Sequence, residues 1–240
     1  MLIPHFEDRC ISCLQRPPFN DGSSLTEEHV IPRALGGILR CAFLCHACNK
    51  EYGHTFERKA RRDPAIRLAI HSLRNEIPDL YRRIEEDQPK VRSVLGEMLP
   101  DINRGEMLTP LVSLKIAYEF AVLSFGKPML SNENPALREI RRVLLQGDTG
   151  SPVFNVENMV AKDGAPRPFH GIVFEGNNPH AVIQVRLFGY LAYRVHFPNL
   201  SIDNEPFGYT HTLDHGKEWQ NSRDQEKASR HRRIGEISSG

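Results

Sequence analysis

The sequence predicts an α+β protein: a small N-terminal module stapled by cysteines, then a helical segment, then a small antiparallel β-rich part. Three observations carry that reading. All five cysteines fall in the first fifth of the chain. From Pro64 to Gly147 apolar residues recur at helical spacing. From Ser151 the pattern changes to short β-type runs separated by Gly, Pro and Asn. The expected units are residues 1–62, residues 63–216 (an α+β domain of unassigned role) and a polar, basic tail at 217–240 that is expected to be disordered.

The cysteine module comes first. Cys10 and Cys13 form one CxxC and Cys45 and Cys48 another, with 31 residues between the pairs. Each CxxC puts two sulfurs on one tight turn, and four thiolates close a tetrahedral structural zinc site. A redox disulfide is the competing reading, and the presence of two pairs favours zinc. Cys41 is then a spare, expected as a small buried side chain, and His46 inside the second knuckle is an alternative ligand. Between the pairs, Leu25 to Ile31 carries β-branched residues up to the stop at Pro32, Ala34 to Leu39 is a loop with two glycines, and Cys41 to Leu44 is a short apolar run.

Four helices follow. Pro64 after Asp63 opens the first, with Ile66, Ala69, Ile70 and Leu73 on its apolar face and Arg67 and Arg74 on the other positions. The second runs from Asp79 to about Asp87. The third spans Thr109 to Phe125 before Gly126, and the fourth opens at Asn134 and Pro135 and closes at Gly147. The strands expected after them are Val153–Val156, Phe169–Phe174, Ala181–Phe188 and Leu191–Phe197, whose aromatics (Phe169, Phe174, Phe188, Tyr190, Tyr193, Phe197) read as core.

Composition excludes several classes. With 40% hydrophobic and 25% charged residues the chain is neither a disordered nor a collagen-like one. Its most apolar stretch, Leu111 to Phe125, is broken by Lys115 and Glu119 and is too short to cross a bilayer, so no membrane partner is expected. The start carries Glu7 and Asp8 and lacks the pattern of a signal peptide, which makes a cytoplasmic location with reduced cysteines the expectation. A net charge of +1 hides a local bias: from Arg58 to Arg83 eight basic residues stand against three acidic ones, a local +5. That run is either a solvated helix face or a phosphate contact.

Glu28, His29, Ile31, Pro32, Gly36 and Gly37 stand between the cysteine pairs, and Asn49 and Gly53 follow them. With Cys10, Cys13, Cys45 and Cys48, this order resembles the zinc-stapled branch of the HNH endonuclease family, over about Cys10 to Arg62. The resemblance implies a ββα-metal finger with a structural zinc, His29 on its first strand and Asn49 on its helix. It also implies a phosphodiester hydrolase in which His29 is the general base and Glu28 and Asn49 hold a catalytic divalent ion. Hard oxygen ligands favour Mg²⁺ or Mn²⁺. Adjacent strand residues point to opposite faces, so Glu28 and His29 share one site only where the strand ends. Many members carry a middle Asn where this chain has Arg40, which either dispenses with that residue or turns it into a phosphate contact.

The expected substrate is DNA, duplex in the first instance, contacted by Arg33, Arg40, Lys50, Arg58, Lys59, Arg61 and Arg62. His54 and Glu57 are further candidates for a metal or DNA contact, against a solvent-facing helical position. Two other readings stand beside this one: a non-catalytic zinc-ribbon module for DNA or protein binding, which has no need of Glu28, His29 and Asn49 together, and an RNA nuclease using the same site. Modules that resemble this one serve restriction or antiphage defence. The C-terminal part is the expected place for a homodimer contact or a regulatory partner.

Overall fold

The structure is a computed structural model that describes residues 9–213, apart from 21, 59, 87–89, 93–97, 101–107, 148–155, 160–163 and 178–179. It begins with a hairpin of β1 (Thr26–His29) and β2 (Arg40–Leu44), followed by α1 (His46–Tyr52) and a π-helical turn, Gly53–Arg58. β1 and β2 pair antiparallel, with Glu28 opposite Cys41 and His29 opposite Arg40. β1 ends at His29, and after Pro32, the N-cap, Arg33–Leu35 winds into a 3-10 turn that leads into the two glycines. Gly36 takes φ 90°, a left-handed value that favours glycine. At Gly37 a Cβ would lie 1.8 Å from the Ile31 carbonyl oxygen, so only glycine lets the loop close on the strand end.

Helices α2 (Pro64–Ser72) and α3 (Pro78–Glu86) come next, then a short hairpin of β3 (Lys90–Arg92) and β4 (Met98–Pro100), α4 (Thr109–Phe125) and α5 (Pro135–Gln146). α5 has local caps: Asn134 accepts from the Ala136 and Leu137 amides, and Gly147 ends the helix at φ 60°. α4 has no such N-cap of its own. Asp63 caps it from a distance. One carboxylate oxygen of Asp63 accepts from Ala65 and Ile66 at the start of α2, and the other accepts from Leu108 (2.5 Å) and Thr109 (2.7 Å) at the start of α4.

The C-terminal part is one antiparallel sheet in the order β5-β8-β7-β6-β9, from β5 (Val156–Met159), β6 (Phe169–Asn177), β7 (Ala181–Leu187), β8 (Leu191–Phe197) and β9 (Phe207–Thr212). α4 packs against β7 and β8 and buries every residue from Thr109 to Val122 except Pro110. Buried residues from both sides of residue 62, among them Cys10, Leu35, Tyr52, Tyr118, Phe174 and Phe197, form one apolar cluster. No described helix is long and apolar enough to cross a membrane.

The α+β class and the order of its parts agree with the sequence reading, and several details differ. The first described C-terminal strand is Val156–Met159, which meets the expected Val153–Val156 at Val156; residues 151–155 lie outside the described residues, as does the tail from 217. The β3–β4 hairpin and β9 were not expected. β9 carries Gly208, which lowers strand propensity, yet a Cβ there would meet the Ile172 carbonyl at 2.7 Å. Close pairing with β6, a contact between distant segments, makes that strand. Arg67 was read onto the polar face of its helix, but it is buried at 4% exposure and cannot meet a phosphate from solvent.

Candidate active site and metal centre

Cys10 and Cys13 lie on the turn before the hairpin, Cys45 is the N-cap of α1, and Cys48 sits in the first turn of α1. Their four sulfurs all lie within 4.8 Å of one another, and Cys13 and Cys45 are 3.9 Å apart. A tetrahedral zinc with Zn–S bonds of about 2.3 Å requires sulfurs about 3.8 Å apart, so the cluster closes on zinc with sulfur shifts of about 1 Å or less. The crowded thiols compete for protons: hydrogen bonding from Cys48 lowers Cys10 to about 5, while Cys48 itself is pushed well up. A metal bound there displaces those protons. Cys41 is fully buried on β2 outside the cluster, and His46 is exposed and outside it as well.

The knuckle is tied to the rest of the chain. The Ile11 amide donates to the Phe43 carbonyl on β2 (2.9 Å), and Tyr118 from α4 donates to the Ile11 carbonyl (2.8 Å). The hydroxyls of Ser12 and Tyr52 lie 3.2 Å apart.

Asn49 faces the hairpin from α1. Its amide nitrogen donates to the Thr26 hydroxyl (2.8 Å) and to the Glu27 carbonyl (2.9 Å). With both hydrogens engaged the amide orientation is set, and Oδ1 is the atom it has for a cation or a donor. Along β1 the side chains alternate. Glu27 is exposed, and its carboxylate pairs with Arg40 at 2.8 Å. Glu28 is turned inward at 6% exposure, where the Lys115 ammonium meets its Oε1 at 2.6 Å. His29 turns outward again and is half-buried. Burial, with the positive charges of Lys115, Arg40 and Arg33, lowers its pKa to about 4, so the imidazole is neutral at physiological pH and able to accept a proton.

Arg33, Arg40, Lys50, Arg58 and Arg62 are exposed and Arg61 is half-buried, whereas Lys59 lies outside the described residues. His54 is exposed, with its ring nitrogen 3.3 Å from the Arg58 guanidinium. The sequence reading did not single out Thr26, Glu27, Asp63, Lys115 or Glu119. Lys115 and Glu119 carried a signal: two opposite charges four residues apart in the most apolar stretch share one helix face, and burial of that face makes them a pair, 3.0 Å apart.

No curated protein and no solved structure matches the chain. Residues 10–65, which contain the four-cysteine cluster, the hairpin and α1, match the family model described as HNH endonuclease.

Proposed function

We propose that the protein is a metal-dependent endonuclease that hydrolyses phosphodiester bonds of DNA, duplex DNA first, in a role such as restriction or antiphage defence. The reading rests on one observation: a half-buried imidazole, His29, at the end of a strand inside the segment that matches an HNH endonuclease model. Hydrolysis needs a base to take a proton from water; a histidine with its pKa lowered to about 4 is unprotonated throughout the neutral range, though a weaker base than an unshifted imidazole. By resemblance Asn49 Oδ1 and the Glu28 carboxylate would hold a divalent ion, a set suited to Mg²⁺ or Mn²⁺ rather than to the zinc of the cysteine cluster; Glu28 is turned inward onto Lys115, so it would share its carboxylate between that ammonium and the ion. Such an ion, when bound, neutralises charge on the phosphate and the leaving oxygen.

The exposed cations frame where a polyanion would lie. Arg33 and Arg40 flank His29 closely enough to shift its pKa. Lys50, Arg58, Arg61 and Arg62 continue along the chain after Asn49, and with Lys59 they are assigned as backbone contacts. We read residues 1–62 as the unit that carries the chemistry and 63–216 as its support, with a homodimer or regulatory contact on the C-terminal sheet.

The test is a cleavage assay of the zinc-loaded protein on duplex DNA, single-stranded DNA and RNA, with Mg²⁺ or Mn²⁺ and with chelator. Metal-dependent cutting of duplex DNA that His29→Ala reduces by at least about a thousandfold supports the reading. Full activity of His29→Ala overturns the assignment of the base, and cutting confined to RNA overturns the substrate.

A further inference from the structure

Helix α4 reaches across the molecule to the strand that carries His29. The Lys115 ammonium is fully buried and has four oxygens around it: Glu28 Oε1 (2.6 Å), Glu119 Oε2 (3.0 Å), the Val30 carbonyl (3.3 Å) and the His29 carbonyl in short contact. Carbonyls of successive residues on a regular strand point to opposite sides. Here those of His29 and Val30 turn to the same cation, at the point where β1 ends and Pro32 follows. One ammonium therefore holds the carboxylate of Glu28, just before the residue that presents the imidazole, and the two successive peptide carbonyls that follow the imidazole-bearing Cα.

Stability alone does not call for this arrangement. A buried ammonium with two buried carboxylates loses its hydration, and apolar side chains of similar volume at 28, 115 and 119 together would pack α4 at least as well. The charge acts instead on orientation, and it does so on the strand end where the assigned base and the assigned carboxylate ligand sit. Ligating carboxylates are commonly held by such outer hydrogen bonds.

We infer that Lys115, backed by Glu119, is a positioning residue for the reaction, acting through Glu28 and the backbone of His29 and Val30; the inference rests on the nuclease reading above. The test uses the full-length, zinc-loaded protein. Mn²⁺ binding is measured by electron paramagnetic resonance, amide exchange is followed at residues 28–31, and kcat and KM are determined on duplex DNA.

Lys115→Met, which leaves two buried carboxylates without their cation, is expected to keep its zinc and to melt cooperatively at a lower temperature, to weaken Mn²⁺ binding about tenfold and to lower kcat about a hundredfold. KM for DNA should stay within about twofold, while amide exchange at residues 28–31 quickens about tenfold or more. Glu119→Gln, which leaves the Lys115–Glu28 contact in place, should weaken Mn²⁺ binding by about threefold. Lys115→Met with Mn²⁺ binding, kcat and exchange all within about twofold of the natural chain overturns the inference while leaving the nuclease reading intact. If Lys115→Met does not fold, Glu119→Gln decides, and unchanged Mn²⁺ binding and kcat in that variant overturn it. A natural chain that binds no Mn²⁺ and cuts no nucleic acid overturns the nuclease reading, and this inference falls with it.

Discussion

The hairpin unit at the N-terminus and the five-stranded sheet at the C-terminus are both antiparallel, yet they are held together differently. The hairpin strands are four and five residues long and α1 is seven, which is too little apolar surface for independent stability. Beyond its share of the common apolar cluster, its shape comes from directional ties: Asn49 on Thr26, Tyr118 on Ile11, Lys115 on Glu28, and four cysteine sulfurs placed to hold a metal. The sheet has strands of nine and seven residues whose inner side chains pack on α4 and on aromatic contacts such as Phe125 with Phe174 and Phe207. Directional ties set the orientation of individual groups, which a reaction requires, whereas apolar packing fills space with less regard to angle. The assigned chemistry lies in the first region.

Removing the metal should separate the two regions most strongly. Structural zinc supplies about 10 kcal/mol or more in small zinc modules, so a strong chelator, or Cys48→Ala, should strip amide protection from residues 10–52. Protection in β6, β7 and β8 should survive, as hydrogen exchange followed by mass spectrometry would reveal. Equal loss in both regions would show that the shared core couples them completely.

Asp63 is the next largest. Its two oxygens cap α2 and α4, so Asp63→Ala leaves four amides at two helix starts without their acceptor. A loss of about 4 kcal/mol in urea unfolding is expected, above the usual cost of one cap.

Acid tests the seam between the regions. His170 on β6 is fully buried, its Nε2 lies 2.9 Å from the Leu35 carbonyl in the glycine loop, and its Nδ1 accepts from the Phe188 amide. Burial lowers its pKa from 6.5 to about 4, so below 6.5 the unfolded chain takes up a proton that the folded chain refuses. Stability from this group is full above about pH 6.5 and is lost as pH falls through about 4, an effect of about 3 kcal/mol. His29 shifts in the same direction. Thermal melts across that range should show the slope, and His170→Gln should reduce it.

The smallest effect on stability belongs to Arg40. Its pair with Glu27 is about half exposed on both sides, so Arg40→Ala should change stability by about 0.5 kcal/mol or less. If Arg40 meets a phosphate, the same variant lowers the salt dependence of DNA binding by about one counterion, and an unchanged slope removes it from the interface.

Much of the site was legible because its signals are local. A CxxC places two sulfurs on one turn, so Cys10, Cys13, Cys45 and Cys48 could be paired by spacing before their cluster was seen. Gly37 was legible as a loop glycine, although its contact with Ile31 was not. The alternation of Glu27, Glu28 and His29 follows from the strand itself, but strand geometry does not say which face meets solvent.

By itself the sequence determined the α+β class, the cysteine cluster, the glycine loop, the start of α2 and both ends of α5, where caps and turn residues sit beside the elements they bound. The tertiary structure decided the inward turn of Glu28, the second cap made by Asp63, the burial of Arg67 and the pairing of β9. The physical reason is range. Lys115 and Glu28 are 87 positions apart, and no local propensity records that a lysine in an apolar helix will find its carboxylate on a distant strand.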